Sequence, residues 1–137
     1  MKQVIVLAAI LPLLLIFIVQ FTLQEKNAQM KMDVASDVYT AAEQARQDGC
    51  FTEANLSRLR QQLASRAGTQ ESEIVIDADE VPKYRVNSYN ENERIHYRIE
   101  VPVASVMAGN RFFGISDEEN RGIFVIENEI ASERLRP

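Results

Sequence analysis

Val4 to Leu23, VIVLAAILPLLLIFIVQFTL, constrains the chain more than any other stretch. The sixteen residues Val4–Val19 carry no polar side chain, and Gln20 and Thr22 are the only polar ones before Gln24. Twenty helical residues rise about 30 Å, the thickness of a bilayer's hydrocarbon core. No charge interrupts the run, so no ion has to be desolvated there. The run therefore reads as a membrane-spanning segment marked by Val4, Pro12, Leu13 and Leu23, within an N-terminal unit of residues 1–24. Residues 25–137 are left as one small extracytoplasmic domain, into which the helix continues to about residue 48. A secretory signal is the alternative. Met1-Lys2-Gln3 supplies only a weak basic leader, and Gln20–Gln24 offers no Ala-x-Ala cleavage site, which favours a retained helix. Lys2 before the span and Lys26 and Lys31 after it nearly balance, so flanking charge alone does not orient it. The short leader favours a domain outside.

Charge narrows the partners. The chain of 137 residues has a formal net charge of −5, and Lys2 is the only charged side chain before Glu25. The remainder then holds 14 of the 15 basic residues and all 20 acidic ones, a net −6. That balance opposes binding to nucleic acid, whose affinity rests largely on Lys and Arg against phosphate. Cys50 is the only cysteine, so an intramolecular disulfide and a CxxC-type zinc site are excluded. It reads as a small buried apolar residue, with intermolecular cross-linking as the sharper alternative.

Beyond Leu23 no Pro or Gly occurs until Gly49, and Gln24–Asp48 is rich in helix formers. Met30, Val34, Val38, Ala41 and Ala45 recur at spacings of four, four, three and four, one helical packing face. The expectation is a single helix from about Val4 to Asp48, closed by Gly49 in a left-handed cap. Thr52 reads as the N-cap of a second helix with Leu56, Leu59, Leu63 and Ala67 on its buried side, closed by Gly68. A turn through Gly49–Thr52 makes the two an αα-hairpin. Asn55-Leu56-Ser57 matches a glycosylation pattern but falls on this helix and is discounted.

From Glu73 the period becomes two. Ile74, Ile76 and Ala78 mark a short strand, broken by Asp79–Pro82, and Lys83–Ser88 reads as a further strand with Tyr84 and Val86 on one side. Tyr89–Glu93 has turn composition. Ile95, Tyr97, Ile99, Val101 and Val103 then alternate with His96, Arg98 and Glu100, and Pro102 argues for a sheet edge or the strand's end. A loop with Gly109, Gly114 and Asp117–Gly122 carries Phe112 and Phe113, expected to pack in the core rather than form a contact patch. A last strand, Gly122–Ser132, turns Phe124, Ile126 and Ile130 to one face. The fold class is α+β: a long N-terminal transmembrane or pilin-like helix, a second short helix and an antiparallel sheet of three to four strands.

No catalytic constellation is present. His96, the only histidine, sits on a polar strand face, and there is no phosphate loop or nucleophile elbow. Asp77, Asp79 and Glu80, and again Asp117, Glu118 and Glu119, bring carboxylates together without a calcium-loop spacing, so they read as solvated acidic turns. The chain is expected to be non-enzymatic, with no catalytic, cofactor or metal site.

The order of elements resembles a known family. A short leader, an apolar run containing Leu11-Pro12-Leu13-Leu14-Leu15, the tracts Asp33-Val34-Ala35 and Ala41-Ala42, and a small α+β domain are similar to TadE-like pseudopilins. These are accessory subunits of tight-adherence pili and related type IV pilus-like secretion systems. The match runs from Ala8 to about Ala45. The segment from Ala41 to Thr52, where Gly49 and Thr52 separate a pair of helices, is also similar to short TadE-related proteins. The resemblance implies a membrane-anchored structural subunit that packs its helix against other pilin-like or secretion-apparatus subunits, with homo-oligomers possible, and that enters a surface filament. The chain departs from the pilin pattern in lacking a Gly before Gly49 and an acid before Glu25. Those residues serve prepilin processing and neutralise a neighbour's N-terminal amine, so an assembly factor or minor subunit fits the chain. The competing reading is a single-pass anchored sensor or ligand-binding module.

Overall fold

The apolar run and the amphipathic stretch after it form one helix. In the computed structural model, which describes residues 1–86 and 90–136, α1 spans Lys2–Asp48, 47 residues and about 70 Å. It continues through Pro12 without a break in helical structure. Gly49 ends it with φ 84°, its N–H bonded to Ala45 O at 2.7 Å. Only glycine suits this position: beyond the left-handed φ, a Cβ would stand 2.6 Å from the Lys83 carbonyl oxygen. Thr52 Oγ1 then accepts from Asn55 N at 3.2 Å and caps α2, Glu53–Ala67.

Small residues set how closely the two helices approach. Ala41, Ala42 and Ala45 of α1 are buried against α2, and Asn55 Nδ2 donates to Ala41 O at 3.0 Å. This bond occupies the Asn55 amide that the glycosylation pattern would need exposed. Leu59 and Leu63 are fully buried, while Leu56 and Ala67 lie at the margin of the same face. Arg66 reaches across to Asp37 at 3.1 Å and Asp33 at 3.8 Å, ion pairs on the solvent side of the hairpin.

The hairpin covers one face of a three-stranded antiparallel sheet. Its strands are β1, Val75–Ala78, β2, Arg94–Val103, and β3, Gly122–Ala131, in the order β1-β2-β3. The register puts Ile76, Ile99 and Ile126 in one row across the sheet, and Ala78 beside Tyr97. These residues face the helices together with Ile95, Val101, Phe124 and Ile130. Phe51, from the turn between the helices, meets the Tyr97 ring edge-on with centroids 5.5 Å apart. The structure thus has the α+β architecture of a long apolar helix, a second helix and an antiparallel sheet. Pro102 sits two residues past the end of β1, where only β3 runs beside β2. Its missing donor therefore falls at the strand's end.

One strand expectation is corrected. Lys83–Val86 is not a strand, and Val86 is exposed; Asn87 and Ser88, the rest of that stretch, and Tyr89 lie outside the described residues. The backbone bonds of this stretch go elsewhere. Lys83 N donates to Gly49 O at 2.9 Å, Arg85 N to Arg134 O at 2.7 Å, and Ser132 Oγ to Lys83 O at 2.7 Å. The segment ties the end of α1 to the C-terminal tail instead of extending the sheet.

Candidate functional site

The N-terminal third of α1 stands clear of the domain. Every residue from Met1 to Leu15 is exposed, and those from Val4 on are all apolar, so the helix is apolar around its whole circumference there. A helix that is hydrophobic all round needs an apolar surrounding, either lipid or other helices. By length and composition α1 is able to cross a membrane.

Contact with the domain begins at Ile16. The half-buried positions Ile16, Gln20, Leu23, Asn27 and Met30 lead at spacings of four, three, four and three into the buried Val34, Val38, Ala41 and Ala45. Met30 packs at the edge of the core, and Val34, Val38, Ala41 and Ala45 lie inside it. The helical packing face from Met30 to Ala45 is thus occupied within the chain by α2 and the sheet. What remains free for lateral packing is the apolar segment below Ile16 and the far side of the helix at Phe17, Ile18 and Phe21.

The upper stripe is held by the loop between β2 and β3, residues 104–121. Gln20 works as a two-sided clamp: Nε2 donates to Val106 O at 3.2 Å, and Oε1 accepts from Ala108 N at 2.6 Å. Further up the same stripe, Asn27 Nδ2 donates to Ser105 O at 2.8 Å. Within the loop the buried Asn120 side chain accepts from Met107 N at 2.8 Å and donates to Met107 O at 2.8 Å and Ser105 Oγ at 3.1 Å. The loop reaches down to Gly109, where a Cβ would lie 3.6 Å from the Ile16 side chain. Gln20 and Asn27 escape notice in the sequence because they are polar. Adding them to the apolar positions exposes the four-three spacing that leads back to Ile16.

The expectation for Phe112 and Phe113 is corrected as well. They lie in a short 3-10 turn, Asn110–Phe113, and stack edge-on with each other at 5.5 Å, but are 70% and 50% exposed. The loop is fastened by amide bonds to its backbone, which leaves both rings outside the core.

Several titratable groups are engaged in structural bonds. Among the described residues, no group of three or more His, Cys, Asp or Glu is placed to hold a metal ion. Asp117 pairs with Arg111 and accepts from Asn110, and Glu119 bonds the Ser116 amide and hydroxyl; both carboxyls are lowered by these bonds. His96 Nδ1 lies 3.2 Å from Glu129 on the open sheet face. That face carries a shallow groove of about 390 Å3 whose walls include Asp77, His96, Arg98, Glu127 and Glu129. Arg98 bridges Glu127 at 3.1 Å and Glu100 at 2.9 Å across it. Cys50 is buried, which pushes its thiol above the ordinary value despite the nearby Arg134. Comparison with models of known protein families, with curated proteins and with solved structures finds no match to this chain.

Asp79 ties three segments of the chain together. Its Oδ2 accepts from His96 N at 2.9 Å and Lys83 Nζ at 2.8 Å, while its backbone O accepts from Phe51 N at 3.0 Å. Burial acts to raise its pKa, but the bonds from His96 and Lys83 outweigh it and hold the carboxyl below the ordinary 3.8. Its contribution is therefore whole above pH 3.8 and is lost as pH falls through the lower folded value. Thermal melts across pH are expected to be nearly flat from about pH 7 to 5 and to fall in acid. Asp79→Asn is expected to flatten that acid slope; an unchanged slope would mean that other groups set it.

Proposed function

We propose that the chain is a non-enzymatic, membrane-anchored, pseudopilin-like subunit of the TadE-like kind, working in a pilus or type IV pilus-like secretion apparatus. The observation that carries this reading is the form of α1. It is one helix exposed on every side from Lys2 to Leu15, apolar from Val4 onward, while its later half is fixed in an α+β domain. In the bilayer Val4–Leu23 stores the subunit, with the domain on the extracytoplasmic side. On assembly the free apolar segment packs laterally against the corresponding helices of other subunits, and the domain stays outward on the surface filament or its basal complex.

Two further features favour this reading. Gln20 docks the loop of residues 104–121 on the helix, so cleavage after the apolar run would strip the domain of a surface it is bonded to. This favours a retained helix over a removed signal. The open sheet face offers a shallow groove lined largely by polar and charged residues, Arg98 and Glu127 among them paired, a poor receptor compared with the enclosed, mostly apolar pockets of ligand sites. Cross-linking of intact membranes followed by pull-down tests the proposal. Recovery with pilus-associated platform or filament proteins is expected, with an N-terminus still carrying the apolar run. Absence from any such complex overturns it.

A further inference from the structure

We propose that the loop of residues 104–121 seats its aromatic tip, Phe112 and Phe113, in the lipid interface of the bilayer that α1 crosses, on the domain's side. This rests on the reading of Val4–Leu23 as a membrane span.

Length is the first constraint. Spanning about 30 Å of hydrocarbon takes all twenty residues from Val4 to Leu23. The loop, however, descends beside the helix as far as Ile16, which Gly109 approaches closely. Ile16 lies seven residues below Leu23, about 10 Å along the axis. If the loop stayed in water, the bilayer would have to end below Ile16. Val4–Leu15 would then span only about 18 Å, too short for a hydrocarbon core. The conflict disappears when the tip of the loop occupies the outermost layer of the membrane beside the helix. About 5–10 Å is the depth to which interfacial protein elements sink their apolar faces.

The chemistry of the loop suits that position. Its tip presents two adjacent phenyl rings, 70% and 50% exposed and stacked on each other. Its backbone is satisfied from within and from the helix: Asn120 serves Met107, Gln20 serves Val106 and Ala108, and Asn110 Nδ2 donates to Ile115 O at 3.0 Å. Unpaired backbone groups are what a poorly hydrated layer penalises most. The charge nearest the rings, Arg111, is neutralised by Asp117. The clamp also explains how Gln20 is tolerated at the end of an apolar run, because its amide is used on both sides. The loop thereby fixes the depth and the roll of the domain on the membrane, which a flexible linker would leave free.

The chain has no tryptophan, so single reporters can be placed without background. Phe112→Trp, Phe17→Trp and Val81→Trp are compared in the full chain reconstituted into phosphatidylcholine vesicles brominated high on the acyl chains. Phe17 and Val81 are both 73% exposed, one on the helix and the other in the domain. Strong quenching at residues 17 and 112, with emission at 81 unchanged, is expected. Quenching at 17 but not at 112 overturns the loop assignment and leaves the span intact. No quenching at 17 overturns the span and the inference with it. Equal quenching at 81 means that the whole domain lies on lipid, which also overturns the seating of this one loop.

Discussion

Phe51→Ala is expected to destabilise the domain by about 3–5 kcal/mol, the usual cost of removing a large ring from a packed core. Phe51 is 1% exposed, stacked edge-on with Tyr97, and its N–H is bonded to Asp79 O. It therefore sits where the helix hairpin, the end of β1 and the central strand meet. Small domains have only about 5–15 kcal/mol in total. With a urea slope of about 2 kcal/mol per molar, the midpoint should fall by about 2 M. Phe112→Ala is the matched control: the same residue type, exposed, with an expected effect within about 0.5 kcal/mol in detergent. Urea unfolding of the full chain in detergent, followed by circular dichroism, compares the two. Equal losses for both would contradict the core described above.

Leu11→Arg combined with Leu14→Arg is expected to release the chain from membranes without unfolding the domain. Each change from Leu to Arg near the centre of a span shifts insertion by about 3–4 kcal/mol. Two such changes exceed what the remaining apolar residues offset. Both positions are exposed and lie below Ile16, where α1 first meets the domain, so the melting behaviour of the domain should be retained. Carbonate washing of membranes followed by immunodetection reads the result. Retention of the double variant in the pellet would mean that the run is not what holds the chain there.

The readable regions of this chain are those in which one face is apolar and regular. The alternation from Ile95 to Val103 marks β2 because a half-buried strand requires it, and Gly49 and Thr52 separate the helices through a left-handed cap and a hydroxyl cap. The burial of Val34, Val38, Ala41 and Ala45 follows from the same logic, although their spacing does not say whether the partner is another subunit or the chain's own α2. The unreadable regions are held by bonds without periodicity. Lys83–Val86 alternates like a strand, yet its backbone is bonded to Gly49 and Arg134. The docking of the loop on α1 depends on three amide side chains, Gln20, Asn27 and Asn120, and amides carry no hydrophobic signal. Phe112 and Phe113 are apolar residues left outside the core, a placement that residue type alone does not reveal.

On the proposed function, the free apolar segment of α1 is both anchor and assembly surface. Site-specific photo-crosslinking in living cells tests this dual role, with the reactive group at Leu14 on the free segment and at Tyr39 on the exposed side of the helix within the domain. Protein adducts are expected from Leu14, to further copies of this chain or to other subunits with apolar N-terminal helices, and none through Tyr39. Adducts from Tyr39 together with none but lipid adducts from Leu14 would contradict it.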